Sequence, residues 1–129
     1  MLGNKIRETT TSTGTGDLTL LGAISTVFIT FNAWFGTSTR SYYWINDSTN
    51  GVWGCGIGYL SASATLVRET VISTSTTPKG TGTSLTLSAG TKDVYCQLPA
   101  SQLNSTPYTF CTSATYNGFT SDHIQIGSA

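Results

Sequence analysis

The chain reads as an all-β fold, a single-domain antiparallel sandwich or small barrel with an extended C-terminal arm. Three observations point there. Of 129 residues, 25 are Thr, 16 Ser and 14 Gly, against six Lys or Arg and six Asp or Glu. Three Trp, six Tyr and five Phe are threaded through that polar background, whereas disordered chains are poor in aromatics and rich in charge. Thr and aromatic side chains suit a pleated, half-buried surface. Apolar residues recur in short alternating runs, and no segment sustains the 3.6-residue period of a long helix.

The elements follow in order. Lys5-Ile-Arg-Glu-Thr-Thr10 reads as a first strand, and Thr13-Gly-Thr-Gly16 as a turn in which glycine permits positive φ. Asp17-Leu-Thr-Leu20 alternates as a second strand, broken at Gly22 to Ser25. Val27-Phe-Ile-Thr-Phe31 is apolar enough for a central third strand, with a helical turn at Asn32 to Phe35. Ser41 to Ile45 and Val52 to Leu60 form a hairpin around Asn46-Asp-Ser-Thr-Asn-Gly51, where Asn-Gly is the turn signal. Ser61 to Ala64 turns into a strand over Thr65 to Ser73. A loop with Pro78 leads to short strands at Ser84 to Leu87 and Asp93 to Leu98. Residues 1–99 thus make the core domain. Residues 100–129 make an arm or added hairpin that docks on neighbours, with strand candidates at Tyr108 to Cys111 and His123 to Ile126.

Bulk properties narrow the function classes. Formal net charge is zero and no basic run exists, so a nucleic-acid partner is not expected. Met1 to Lys5 carries no apolar stretch of the signal-peptide kind, and the run from Leu18 to Phe35 is too polar to span a membrane. Near-zero charge gives little colloidal repulsion and makes self-association easy.

Arg7-Glu-Thr-Thr-Thr-Ser-Thr-Gly-Thr-Gly16, Leu18-Thr-Leu20 and Gly22-Ala23 open an ordered set of short motifs. Tyr42-Tyr43, Val52-Trp53, Gly56-Ile-Gly-Tyr59, Ala64-Thr-Leu66, Arg68 and Thr70-Val-Ile-Ser-Thr-Ser75 follow. Ser88-Ala-Gly-Thr-Lys-Asp-Val-Tyr95 and Leu98-Pro-Ala100 close it. Over about residues 5 to 100 this set resembles a small Thr/Gly-rich β module of tailed-bacteriophage virion proteins. The resemblance implies a non-enzymatic structural part of the particle exterior, of tail-fibre, collar or head-decoration type. It also implies assembly in the host cytoplasm, exposure on the released virion, a trimer or other symmetric oligomer with further virion proteins as partners, and no cofactor. Three cysteines and a tail beyond Ala100 depart from the pattern. A receptor- or glycan-binding module of the phage tail is the alternative.

Candidate site residues are few. Trp34, Tyr42, Trp44 and Trp53 suit a core, a subunit interface or a platform for host-surface glycan. Gly54, Gly56 and Gly58 alternate with Trp53, Cys55, Ile57 and Tyr59. On a strand this bares one face for close approach of a backbone or ring, and a neighbouring subunit is expected against it. Cys55, Cys96 and Cys111 are an odd set, either all reduced or engaged in an intra- or inter-chain disulfide.

Catalysis is not expected. His123 adjoins Asp122, which a strand would turn to the opposite face, so a triad needs Asp17, Asp47 or Asp93 brought in by the fold. Glu8 and Glu69 each follow an arginine, within an echo of Arg7-Glu-Thr9 at Arg68-Glu-Thr70. Arg–Glu pairing across strands is the expected role of these carboxylates, and Arg7, Arg40 and Arg68 read as pairing residues. Asn46, Ser48, Asn50 and Gly51 imitate the start of a calcium loop, but Ile57 stands where the closing Glu belongs. No cysteine–histidine spacing suits zinc.

Overall fold

The structure is a computed structural model that describes residues 1–79, 82–105, 115–116 and 119–120. Six strands close an antiparallel barrel: β1 (Arg7–Thr10), β2 (Leu18–Ala23), β3 (Ser41–Asp47), β4 (Val52–Ala62), β5 (Thr65–Thr74) and β6 (Lys92–Tyr95). Their order around the wall is β1-β2-β5-β4-β3-β6, and β6 pairs back onto β1 through Arg7↔Tyr95 and Thr10↔Lys92. Of the expected pair of architectures the barrel is realised. Closure removes the exposed strand edges that an open sandwich would leave. Two short helices, α1 (Phe31–Phe35) and α2 (Ala100–Ser105), follow β2 and β6, and β7 (Thr115–Tyr116) pairs with β8 (Phe119–Thr120).

The interior is filled by alternate residues of each strand. Leu18 and Leu20, Tyr43 and Ile45, Leu66 and Val94 point in, joined by Ile6 and Phe31 from the connections. Gly54, Gly56 and Gly58 also belong to this buried set. A Cβ on Gly56 would collide with the Thr70 carbonyl and the Tyr43 hydroxyl, and one on Gly58 with the Val67 carbonyl and the Tyr43 ring. The bare glycine face therefore meets a backbone and a ring of its own chain. It does not meet a neighbouring subunit, as the sequence led us to expect. The barrel is too narrow for further side chains beside Tyr43, whose ring occupies the space the glycines leave. Burial pushes the Tyr43 phenol up to about 12. The register of β4 against β5 shifts twice here, with Gly58 facing Arg68 while Ile57 faces Thr70, and Gly56 facing Val71 while Cys55 faces Ser73. Glu69 and Ile72 are thus the extra residues of two bulges, which bend β5 over the glycines.

Local chemistry explains the turns. The Asp47 carboxylate accepts from the Asn50 backbone N–H at 3.1 Å and from Asn50 Nδ2 at 2.8 Å, and Gly51 takes φ 69°. The same bonds hold the Asp47 carboxyl below its ordinary range. The loop is a hairpin connection, as its sequence indicated. Lys92 is turned inward, 1% exposed, and its Nζ donates to the Ser88 and Gly90 carbonyls at 2.6 Å each. That closes the turn into β6.

Four expectations are corrected. Val27 to Phe31 is not a strand: Val27 is 64% exposed and only Ile29 bridges to Ile6. Thr30 instead caps α1 by accepting from the Ala33 N–H at 3.0 Å, and the expected helical turn at residues 32–35 is the body of that helix. Ser84 to Leu87 contributes the buried Leu85 and Leu87 and a single bridge, Gly14↔Leu87, but no strand. β6 stops at Tyr95 rather than Leu98, and a helix turns at Ala100–Ser105, at the start of the segment expected as an extended arm or added hairpin. The strand candidates at Tyr108 to Cys111 and His123 to Ile126 lie outside the described residues.

Candidate ligand-binding face

Strict alternation decides what the outer wall presents. On β3, Ser41, Tyr43, Ile45 and Asp47 are buried, so Tyr42, Trp44 and Asn46 face out. On β6 the buried Lys92 and Val94 leave Asp93 and Tyr95 outside, and on β1 the buried Glu8 and Thr10 leave Arg7 and Thr9 there. The registers Arg7↔Tyr95 and Trp44↔Tyr95, with Asn46↔Asp93 and Asn46↔Trp53, bring these outer residues side by side. Three rings form a row. Trp44 lies 6.2 Å from Tyr95 with planes 7° apart, and 5.6 Å from Trp53 with planes 30° apart. Such cross-strand aromatic pairs contribute about 1 kcal/mol each beyond their area. Trp44 Nε1 is buried with no hydrogen-bond partner among the described residues.

A cleft of about 440 Å³ opens beside the row. Its floor is Arg7, Asp93, Tyr95 and Asn46, and Lys5, Phe28 and Gln97 line it further. Arg7 donates from Nη2 to Asp93 Oδ2 at 2.6 Å, while its Nε is buried without a partner among the described residues. Lys5 Nζ stands 5.6 Å and the Arg7 guanidinium 5.9 Å from the centre of the Phe28 ring. Phe28 is held there by the connection from β2 to α1, whose Ile29 bonds backbone-to-backbone with Lys5 and Arg7.

The remaining charged groups are structural. Glu8, 4% exposed, accepts from the Phe31 N–H at 2.7 Å and the Gly22 N–H at 3.2 Å. Burial raises its carboxyl above the ordinary value, and the two amides oppose the rise. Arg68, 9% exposed, donates to the carbonyls of Gly14, Gly16 and Leu85 at 3.0, 2.9 and 2.7 Å. Glu69 binds Arg40 through two contacts of 2.5 and 2.6 Å on the surface.

The sequence-derived candidates divide accordingly. Tyr42, Trp44 and Trp53 share the outer face, whereas Trp34 sits on α1, 45% exposed, beside Gly3. Arg7 and Arg40 do pair with carboxylates, but Arg7 takes Asp93 instead of a glutamate. Arg68 has no acidic partner among its hydrogen bonds and is corrected to a buried tie between loops. Of the expected Arg–Glu pairs only Glu69 makes one, since Glu8 is used on backbone amides. Cys55 is buried and its thiol is pushed up to about 11, so it is not presented to another subunit. Cys96 is a half-buried free thiol, and Cys111 and His123 lie outside the described residues. No group of three metal-ligating side chains occurs among the described residues.

Sequence reasoning overlooked Tyr95, Asn46, Gln97, Lys5 and Phe28. The alternation of Lys92, Val94 against Asp93, Tyr95 was the available signal for Tyr95. Phe28 was assigned to a strand, and its place in the cleft depends on a connection that only the fold defines. No protein-family model, no curated protein and no solved structure matches this chain.

Proposed function

We propose that this chain is a non-enzymatic structural module on the exterior of a tailed-phage particle, acting by subunit assembly in capsid decoration or in collar or tail-fibre attachment. The phage context comes from the resemblance over residues 5 to 100. The observation that carries the assembly reading is the apolar surface. Leu21, Ile24, Val27 and Trp34 are 57, 40, 64 and 45% exposed within one stretch of chain, and Met1 and Leu2 are 69 and 46% exposed. Gly3 packs on the Trp34 ring, which brings the N-terminal residues to the same helix. Large apolar side chains concentrated in this way mark contact surfaces, and a chain of zero net charge opposes self-contact weakly. That surface supports the reading of a symmetric homo-oligomer with other virion proteins beside it. Quantitative mass spectrometry of purified virions tests the reading. Hundreds of copies per particle place the chain on the capsid, about a dozen place it at neck or tail, and absence from the particle overturns the proposal.

A second reading has its own support. The row Tyr95–Trp44–Trp53 and the polar cleft beside it suit a saccharide, whose apolar ring face stacks on aromatics while its hydroxyls meet amide and charged groups. On this reading the outer wall of β6, β3 and β4 contacts host-surface glycan while the apolar stretch serves assembly.

A further inference from the structure

We infer that the cleft between β1, β6 and the Phe28 connection is a binding site for an acidic saccharide, in which Lys5 and Arg7 receive the sugar carboxylate and Tyr95 and Phe28 flank the ring. The inference rests on the glycan-binding reading above and names the ligand class.

Charge is the first argument. The cleft holds two cations, Lys5 and Arg7, against one carboxylate, Asp93, in a chain whose formal charges sum to zero overall. Asp93 is already engaged by Arg7. The Lys5 ammonium makes no ion pair among the described residues, and it stands over the face of Phe28. A cation held over an aromatic ring at the rim of a cleft, with no counter-charge, is placed to receive an anionic group. Arg7 adds a fixed planar donor whose orientation is set by Asp93, and planar guanidinium groups match carboxylates in geometry.

Backbone conformation is the second and independent argument. Lys5 has φ 60°, in the left-handed region that glycine and asparagine ordinarily occupy. A lysine there is strained, and such strain collects where a side chain must be aimed. Lys5 is aimed into the cleft, while its carbonyl accepts from the Ile29 N–H at 2.8 Å and so ties the strained residue to the connection that carries Phe28.

Size and composition are the third. A volume of about 440 Å³ is in the range of small-ligand sites and suits one or two sugar residues. Asn46 and Gln97 supply amides for hydroxyls, and Tyr95 and Phe28 supply apolar surface. A phosphate-bearing polymer is less well matched, since a single free lysine gives it little to bind and the chain has no basic field.

Isothermal titration of the full chain with trigalacturonate and 3′-sialyllactose, and with their neutral counterparts galactotriose and lactose, tests this. The expected result is binding of at least one acidic ligand, with its neutral counterpart at least tenfold weaker. Lys5→Gln should then lose about tenfold or more in affinity for the acid with the thermal midpoint unchanged. Tyr95→Ala should weaken acidic and neutral ligands together. Equal binding of acidic and neutral sugars, lost in Tyr95→Ala and kept in Lys5→Gln, overturns the acidic-ligand inference and leaves the glycan reading standing. No binding of any of the four by a folded chain overturns the inference, and a wider array of neutral glycans that is also silent removes the glycan reading with it.

Discussion

The two Arg-Glu-Thr runs, on β1 and on β5, are identical in sequence and opposite in use. On β1, Arg7 faces out to Asp93 and Glu8 is buried against two backbone amides. On β5, Arg68 is buried against three carbonyls and Glu69 faces out to Arg40. Adjacent residues of a strand take opposite faces, so a barrel buries one charge of each Arg-Glu pair and leaves the other wet. Which one goes in depends on what the neighbouring loops leave unpaired. Beside β1 lie the N–H groups of Phe31, which opens α1, and of Gly22, near the end of β2. Beside β5 lie the carbonyls of the Gly14–Gly16 turn and of Leu85. Each buried charge therefore stitches loops to the wall through hydrogen bonds to backbone groups, and the Asp17 carboxylate adds a favourable field at Arg68.

The largest effect expected from this comparison is at Arg68. Arg68→Met keeps the apolar stem and removes donors to three carbonyls, so stability should fall by ~3 kcal/mol in urea unfolding. A loss under about 1 kcal/mol would mean that the three carbonyls find water when the guanidinium leaves, and the stitching role would fail. Glu8→Ala should cost less, ~2 kcal/mol, because two donors are orphaned rather than three acceptors.

The pH dependence of Glu8 sharpens the comparison. Its folded-state value is raised from the ordinary 4.5, chiefly by burial. The folded chain thus holds this proton more tightly than the unfolded chain. The associated stability is fully present below pH 4.5 and is lost as pH rises through the raised folded value. Relative to Glu8→Gln, the parent should gain stability as pH is lowered towards 4.5 in denaturant titrations at several pH values. A parent that instead weakens relative to Glu8→Gln over that window would show that the two amides outweigh burial. Glu69→Gln should do least. Its pair with Arg40 is exposed, so the urea midpoint at neutral pH should stay within error of the parent. A clear drop would mean that the bulge on β5 depends on this ion pair.

Much of the wall was legible. Strands at β1 to β5, the Asn-Gly hairpin and the short helix before Gly36 follow from alternation and turn chemistry, which act over a few residues. Val27 to Phe31 misled because its apolar run suits a strand as well as a loop. The choice was made by the Thr30 cap and by Glu8, which lies 23 residues away. Of the site, Tyr42, Trp44 and Trp53 were legible as aromatics of one hairpin. Their company was not, since Tyr95 meets Trp44 only because β6 closes the barrel between β1 and β3.

By itself the sequence determined an all-β chain, its strand periodicity, the glycines that would bare one face of β4, and the lack of charge. Those are properties of neighbouring residues and of bulk composition. Tertiary structure decided that the bare face looks inward onto Tyr43, which of two identical Arg-Glu runs buries its acid, and that Lys5, Phe28 and Tyr95 share a cleft. Each of these depends on pairing between segments far apart in the chain, where register sets the face that every side chain takes.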